Sequence, residues 1–186
     1  YRKAFFPQGL GRGEYHPTTA PGSAGHGLRL AESAGAAIDH DMSNAAAWTP
    51  VSLLPKANGE FGTVLHLWGR GVPGVIAVTR NGRRFANESN SYHEFCQALI
   101  EATPPEEEVY AYLVCDAAAL RRYGFGYVRP FPIPHARHLR SGYLMRGNTI
   151  AELAKAAGID AAQLAATIET VNRDAREGKD SAFGKG

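Results

Sequence analysis

Apolar residues recur along this chain with two different periods, and each period predicts a type of element. In "GHGLRLAESAGAAID", Leu28, Ala31 and Ala34 return at helical spacing, and Gly35 supplies a stop. Tyr92, Phe95, Cys96 and Leu99 follow i, i+3, i+4, i+7, which predicts a helix over 90–102 with all four on one face. "DAAALRRYG" reads as a short helix capped by Asp116 and closed by Gly124. Two helices follow near the end. Thr149 with Glu152 forms a capping box stopped by Gly158, and Asp160 with Gln163 opens a helix striped by Leu164, Ile168 and Val171. "TVLHLW" and "EEVYAYLVCD" read as strands, the second buried. "PGVIAVTR", Asn81-Gly82 and "RRFANE" together predict a β-hairpin on an Asn-Gly turn. Gly and Pro mark residues 1–24 as irregular, 41–62 as loop and turn, and 125–148 as a Pro- and aromatic-rich loop. Strands and helices come in irregular order, so the expected class is α+β, with a small mixed β-sheet and flanking helices.

Composition narrows the function classes. The 186 residues suit one domain, and a hydrophobic fraction of 44% is enough for a core. A net charge of +2 is too small to point to nucleic acid or an acidic membrane. Arg137, Arg140 and Arg146 interleave with Tyr143, but the acidic "PEEEV" nearby works against a basic footprint. No apolar run approaches the roughly 20 residues of a membrane helix. Cys96 and Cys115 sit in apolar company and read as buried thiols in a reducing, cytoplasmic compartment, with a disulfide between them left open. The chain starts at Tyr1 without Met and ends at "FGKG", so it reads as a piece of something longer.

Few motifs carry chemistry by themselves. Gly9, Gly11 and Gly13 lack the preceding strand and following helix of a dinucleotide fingerprint. His135 and His138 could meet one metal if helical, but Pro134 adjoins them and no Cys or carboxylate joins at ligand spacing, so no metal is expected. His16 and His26 flank a small-residue loop, where they face either solvent or an anionic or cofactor group. The densest stretch is "NGRRFANESNSYHEF". Arg83 and Arg84 point to opposite faces of a strand, so one is free to solvent and the other, read as Arg84, pairs inward with Glu88 as a structural brace. Tyr92 opens the apolar face of the next helix, either as core or lining a pocket with its hydroxyl towards a ligand.

"RGVPGVIAVTRNGRRFANESNSYHEF" resembles a signature of the FAD-dependent fumarate reductase and 3-ketosteroid dehydrogenase superfamily. "GHGLRLAESAGAAID" is similar to its "G-D-G-x-x-x-A-x-x-x-G-A" helix, with His26 standing where the family has Asp. "YAYLVCDAAALRRYGFG" and the closing "TIAELAKAAGIDAAQLAATIETVNRDAREGKDSAFGKG" match its strand–helix unit and final helices, from about His16 to the end. The resemblance implies a capping, substrate-binding domain over 25–186, led into by residues 1–24 from an FAD domain that this chain lacks. It also implies FAD as cofactor of the whole enzyme, contacted around Gly25, His26 and Gly27.

The family places an arginine proton donor, or in its ketosteroid branch a tyrosine, four residues after the Glu of "N-E". Tyr92 holds that position. The resemblance therefore implies Tyr92 as catalytic acid/base and a small-molecule ketone, steroid-like ketones included, as substrate. A tyrosine titrates near ~10 and needs a lowered pKa or a proton relay to act as base. Arg70 is expected as an architectural residue or near the substrate, and Trp68, Phe95 and Tyr143 as its apolar wall or as core. The alternatives are a fumarate reductase-like enzyme acting on dicarboxylates and a stand-alone binding module.

Overall fold

The computed structural model describes residues 16, 18–20, 22–39, 41, 44 and 46–186. The irregular segment expected over 1–24, with Gly9, Gly11 and Gly13, falls mostly outside them. The described elements run α1 (His26–Ser33), β1 (Val51–Pro55), β2 (Phe61–Leu65), β3 (Val75–Val78), α2 (Tyr92–Ala102), β4 (Tyr112–Cys115), α3 (Ala117–Tyr123), α4 (Ala136–Arg140), α5 (Ile150–Ala157) and α6 (Ala161–Arg176). The mixed α+β class holds. In place of one small mixed sheet, the strands form two separate antiparallel pairs, β1–β2 and β3–β4.

β3–β4 is the middle layer of the core. Its register runs from Val75 opposite Cys115 to Val78 opposite Tyr112. Alternate side chains leave opposite faces of a strand. Ile76 and Val78, with Tyr112 and Val114, therefore meet Ala154, Ala157, Ile159 and Leu164 of the α5–α6 hairpin. Ala77 and Leu113 meet Phe95 and Ala98 of α2, with Phe85 and Ala86 beside them. Covered on both faces, "VIAV" is buried at all four positions.

The expected hairpin at Asn81-Gly82 is only half formed. The Gly82 N–H bonds the Thr79 carbonyl at 2.9 Å and the Thr79 N–H bonds the Arg83 carbonyl at 3.0 Å, so the chain does reverse. One bridge, Val78 to Arg84, then ends the pairing. The edge of β3 is taken instead by β4, which is remote in sequence. Gly82 has φ +77, and a Cβ there would lie 2.7 Å from the Leu164 nitrogen. The turn thus packs directly on the start of α6, where Thr167 Oγ1 donates to the Gly82 carbonyl at 2.7 Å.

Two loop expectations need correction. Residues 51–55, inside the stretch read as loop, form β1, paired from Val51 opposite Leu65 to Pro55 opposite Phe61. Pro55 is tolerated because it closes the strand. Residues 136–140, inside the loop expected over 125–148, form α4, with His135 at its N-cap. The caps follow the sequence more closely. Asp116 accepts the Ala119 N–H at 2.7 Å, Asp160 that of Gln163 at 2.8 Å, and Thr149 that of Glu152 at 3.1 Å. Glu152 reaches back to the Asn148 N–H and not to Thr149, so the expected box is displaced by one residue. No helix among the described residues is long and apolar enough to cross a membrane.

Candidate functional site

Arg84 is the centre of a buried charge cluster. Its Nε and one terminal nitrogen each donate to Glu88 at 2.8 Å, the expected brace in bidentate form. Its two terminal nitrogens also reach Asp180 at 3.0 and 2.9 Å. Lys185 stands 3.3 Å from Glu88 and also donates to the Val75 carbonyl. Glu88 has no exposed side-chain surface, and it accepts the Ala77 N–H from β3 at 3.0 Å. Two cations against two carboxylates leave this interior neutral. Burial works against each charge, but the hydrogen bonds from Arg84 and Ala77 N–H and the Lys185 charge hold the Glu88 carboxyl below its ordinary range. Against the cost of burial, the hydrogen bonds to and charges of Glu88 and Asp180 push the Arg84 guanidinium up. Arg83, as expected, is the exposed member of the arginine pair.

This cluster lies just ahead of Tyr92. Between them Asn87 donates to the Phe183 carbonyl at 3.2 Å and accepts the Ser89 N–H at 2.8 Å. The Asn90 carbonyl accepts a terminal nitrogen of Arg70. Ser91 caps α2 with a complete capping box. It accepts the Glu94 N–H at 3.2 Å, while Glu94 accepts the Ser91 N–H at 3.3 Å. The segment 87–91 is therefore held from several directions, and Tyr92 is the first helical residue after it. Tyr92 is 39% exposed, and its hydroxyl has no partner among the described residues.

One turn further, Phe95, Cys96 and Leu99 help wall an open cleft of about 2450 Å³. That volume is well above the roughly 300–1,000 Å³ of a closed ligand pocket. Among the residues singled out from sequence, Gly25, Arg70, Phe95 and Tyr143 line this cleft, and Tyr92, Trp68, His26 and Gly27 are outside its lining. Trp68 is 86% exposed. Phe95 is core, 5.0 Å from the Phe85 ring. Arg70 is buried over the Phe95 ring, and its terminal nitrogens donate to the carbonyls of His66, Leu67 and Asn90. Its Nε is buried without a hydrogen-bond partner among the described residues.

Beside Arg70 lies a polar chain that sequence reasoning missed, made of His66, Ser52 and the Tyr143 hydroxyl. Ser52 and Tyr143 are 91 positions apart, so no local pattern could join them. The only local signal was a His at the end of an apolar strand. Burial, and then the Arg70 charge, lower the His66 pKa, so the ring is neutral at ordinary pH. Burial also pushes the Cys96 thiol up to about 12 and the Cys115 thiol to about 11, and both cysteines are free. These are packing thiols, not nucleophiles. No group of three or more His, Cys, Asp or Glu among the described residues could hold a metal ion.

At the other end, α1 begins after Gly25 in the left-handed region with no side-chain cap. Its first N–H groups are open donors, a set that fits an acceptor oxygen of a bound flavin nucleotide. The helix buries none of its own residues.

Comparison with known proteins gives a consistent picture. The chain is 38% identical over 185 residues to 4-oxocyclohex-2-ene-1-carboxylate 5-dehydrogenase of Sinomonas cyclohexanicum, covering 100% of this chain and 31% of the relative. It is 35% identical to 3-oxosteroid 1-dehydrogenase of Mycobacterium tuberculosis, covering 90% and 29%. The chain thus spans about a third of the length of these curated relatives. Among solved structures, 3-ketosteroid delta1-dehydrogenase from Sterolibacterium denitrificans, in complex with 1,4-androstadiene-3,17-dione, superposes with a TM-score of 0.75 at 29% identity, covering 100% of this chain and 32% of that one. The profile described as "FAD binding domain" matches residues 6–185, and the chain belongs to that family.

Proposed function

We propose that residues 25–186 are the substrate-binding, capping domain of an FAD-dependent oxidoreductase, with residues 1–24 leading in from its FAD domain. The whole enzyme removes, or adds, hydrogens across a carbon–carbon bond adjacent to a ketone. The observation that carries this reading is the half-exposed phenol of Tyr92, whose hydroxyl has no partner among the described residues, at the start of a helix whose approach is fixed by buried charges and a capping box. The names of the relatives, dehydrogenases of cyclic oxo compounds, support the substrate class.

Hydrogens on the carbon beside a carbonyl are acidic, because the carbanion left behind is stabilised by the carbonyl oxygen. The Tyr92 phenol oxygen is the group placed to take that proton. When bound, FAD would supply the acceptor for the hydrogen that leaves the neighbouring carbon as hydride. In the reverse sense Tyr92 returns the proton. The N–H groups around Gly25, His26 and Gly27 would hold acceptor oxygens of that cofactor. Arg70 acts on this chemistry indirectly. Its terminal nitrogens are bonded to three carbonyls, one of them at Asn90, so it holds the approach to Tyr92. That use of its guanidinium also counts against a dicarboxylate substrate. Trp68, Phe95 and Tyr143 surround the substrate more widely, and the open cleft is closed by the enzyme's own FAD domain. Two free thiols suit a reducing, cytoplasmic setting.

Tyr92→Phe in the full-length enzyme tests this. The ring and its packing remain and only the proton-carrying group is removed. Turnover of a cyclic ketone is expected to fall by roughly a hundredfold or more, with stability changed by no more than about 1 kcal/mol. A stable variant with near-normal turnover would remove Tyr92 from the mechanism.

A further inference from the structure

Ser52 Oγ lies 2.8 Å from His66 Nε2 and 2.7 Å from the Tyr143 hydroxyl, and that hydroxyl also accepts the Tyr127 N–H at 3.1 Å. Segments remote in sequence thus converge on one phenolic oxygen in the cleft wall. The loop through residue 126 comes this close only because residue 126 is glycine. Gly126 has φ +59, and a Cβ there would lie 2.8 Å from the Tyr143 hydroxyl and 2.9 Å from His66 Cε1. The His138 ring, 5.7 Å from that of Tyr143, steadies it from another side.

Counting hydrogens gives this chain two orders. A neutral imidazole has one N–H, and each hydroxyl has one hydrogen and two lone pairs. In the inward order Tyr143 donates to Ser52 and Ser52 donates to His66 Nε2, the imidazole hydrogen sits on Nδ1, and the phenol keeps no hydrogen to offer the cleft. In the outward order His66 donates to Ser52 and Ser52 donates to Tyr143. The Tyr127 N–H fills the phenol's other lone pair, and the Tyr143 hydrogen is left to donate into the cleft. An acceptor oxygen arriving there selects the outward order, in which the imidazole hydrogen sits on Nε2 instead of Nδ1 after exchange through solvent, with no change of net charge anywhere in the chain.

We propose that Tyr143 is a ligand-recognising residue that donates its hydroxyl hydrogen to an oxygen of a cyclic oxo compound, with Ser52 and His66 as positioning residues that orient it. This rests on the ketone reading above. It turns Tyr143 from an apolar wall into a polar contact, and adds Ser52, His66 and Gly126 to the site. The oxygen is either the ring carbonyl or a ring carboxylate, and two probes separate them. 1,4-Androstadiene-3,17-dione carries carbonyl oxygens only, while 4-oxocyclohexanecarboxylate carries both kinds.

The test is the dissociation constant of each probe for the FAD-loaded full-length protein, read from the perturbation of flavin absorbance. Tyr143→Phe is expected to weaken binding by about five- to tenfold, the worth of one neutral hydrogen bond. Loss with both probes assigns the carbonyl, and loss with the keto acid alone assigns the carboxylate. Ser52→Ala, with an unchanged melting temperature, is expected to weaken the same probe by roughly threefold. Ser52→Thr, which keeps a hydroxyl, is expected to restore it, a rescue that loss of packing alone would not produce. If Tyr143→Phe fails to fold, the Ser52 pair decides. Wild-type binding that neither Tyr143→Phe nor Ser52→Ala alters by more than about twofold overturns the relay and leaves the ketone reading intact. A wild-type protein that binds neither probe overturns both.

Discussion

The two antiparallel strand pairs are close in length and unlike in surroundings. β3–β4 is covered by α2 on one face and α5–α6 on the other, and β3 is fully buried. β1–β2 has no fully buried residue, and its Phe61 is 59% exposed. α1 follows the second pattern, with Leu30 73% exposed. Apolar periodicity makes an element, but burial depends on whether another apolar face reaches it. The two buried arginines repeat the contrast. Arg84, beside β3, is neutralised by Glu88 and Asp180, while Arg70, in the cleft wall after β2, meets backbone carbonyls and the Phe95 ring and no carboxylate among the described residues. In the closed half charges and apolar faces are matched, and in the open half apolar surface is left uncovered.

The sharpest way to break this contrast is to unbalance the closed half. Glu88→Ala would leave Arg84 and Lys185 against Asp180 alone in a buried site. Equilibrium denaturation should show a loss of about 3–5 kcal/mol. Adding Arg84→Ala should cost far less than the sum of the single changes, and strict additivity would refute the cluster. The same carboxylates set the acid limb. Glu88 and Asp180 both have folded pKa values below their unfolded ones. Their contribution is therefore complete above the unfolded values near ~4 and is lost as pH falls through the folded values. Glu88→Gln should make stability depend less steeply on pH in that window.

Gly82→Ala is a smaller perturbation of the same half. It places a Cβ against the α6 backbone at a left-handed position, and a cost of roughly 1–3 kcal/mol is expected in thermal melts. A neutral result would mean that the turn does not bear on α6. Phe61→Ser on β2 should change the stability of this chain least, by no more than about 0.5 kcal/mol. A large loss there would show that the ribbon is covered after all.

Helix ends were legible because their chemistry is local. Asp116, Thr149 and Asp160 cap through groups within three residues, and Gly158 closes a helix at φ +69. The Arg84–Glu88 brace was legible for the same reason, being an i, i+4 pair. Its other half was not. Asp180 lies 96 residues from Arg84, and nothing in "GKDSAFGKG" marks it as an ion-pair partner. The partner of β3 escaped too, because Asn81-Gly82 promised a neighbouring strand and the core supplied a distant one in β4.

By itself the sequence determined the positions of most helices, their caps, the face of α2 that turns inward and the family signature that singles out Tyr92. All of these rest on spacings of a few residues, over which backbone geometry is nearly independent of context. Only the tertiary structure decided that Arg70 spends its donors on backbone carbonyls and that Ser52, His66, Gly126 and Tyr143 meet at one oxygen. Such contacts join segments whose separation is set by how the layers pack, and packing sums weak forces over the whole chain, so no short stretch carries its outcome.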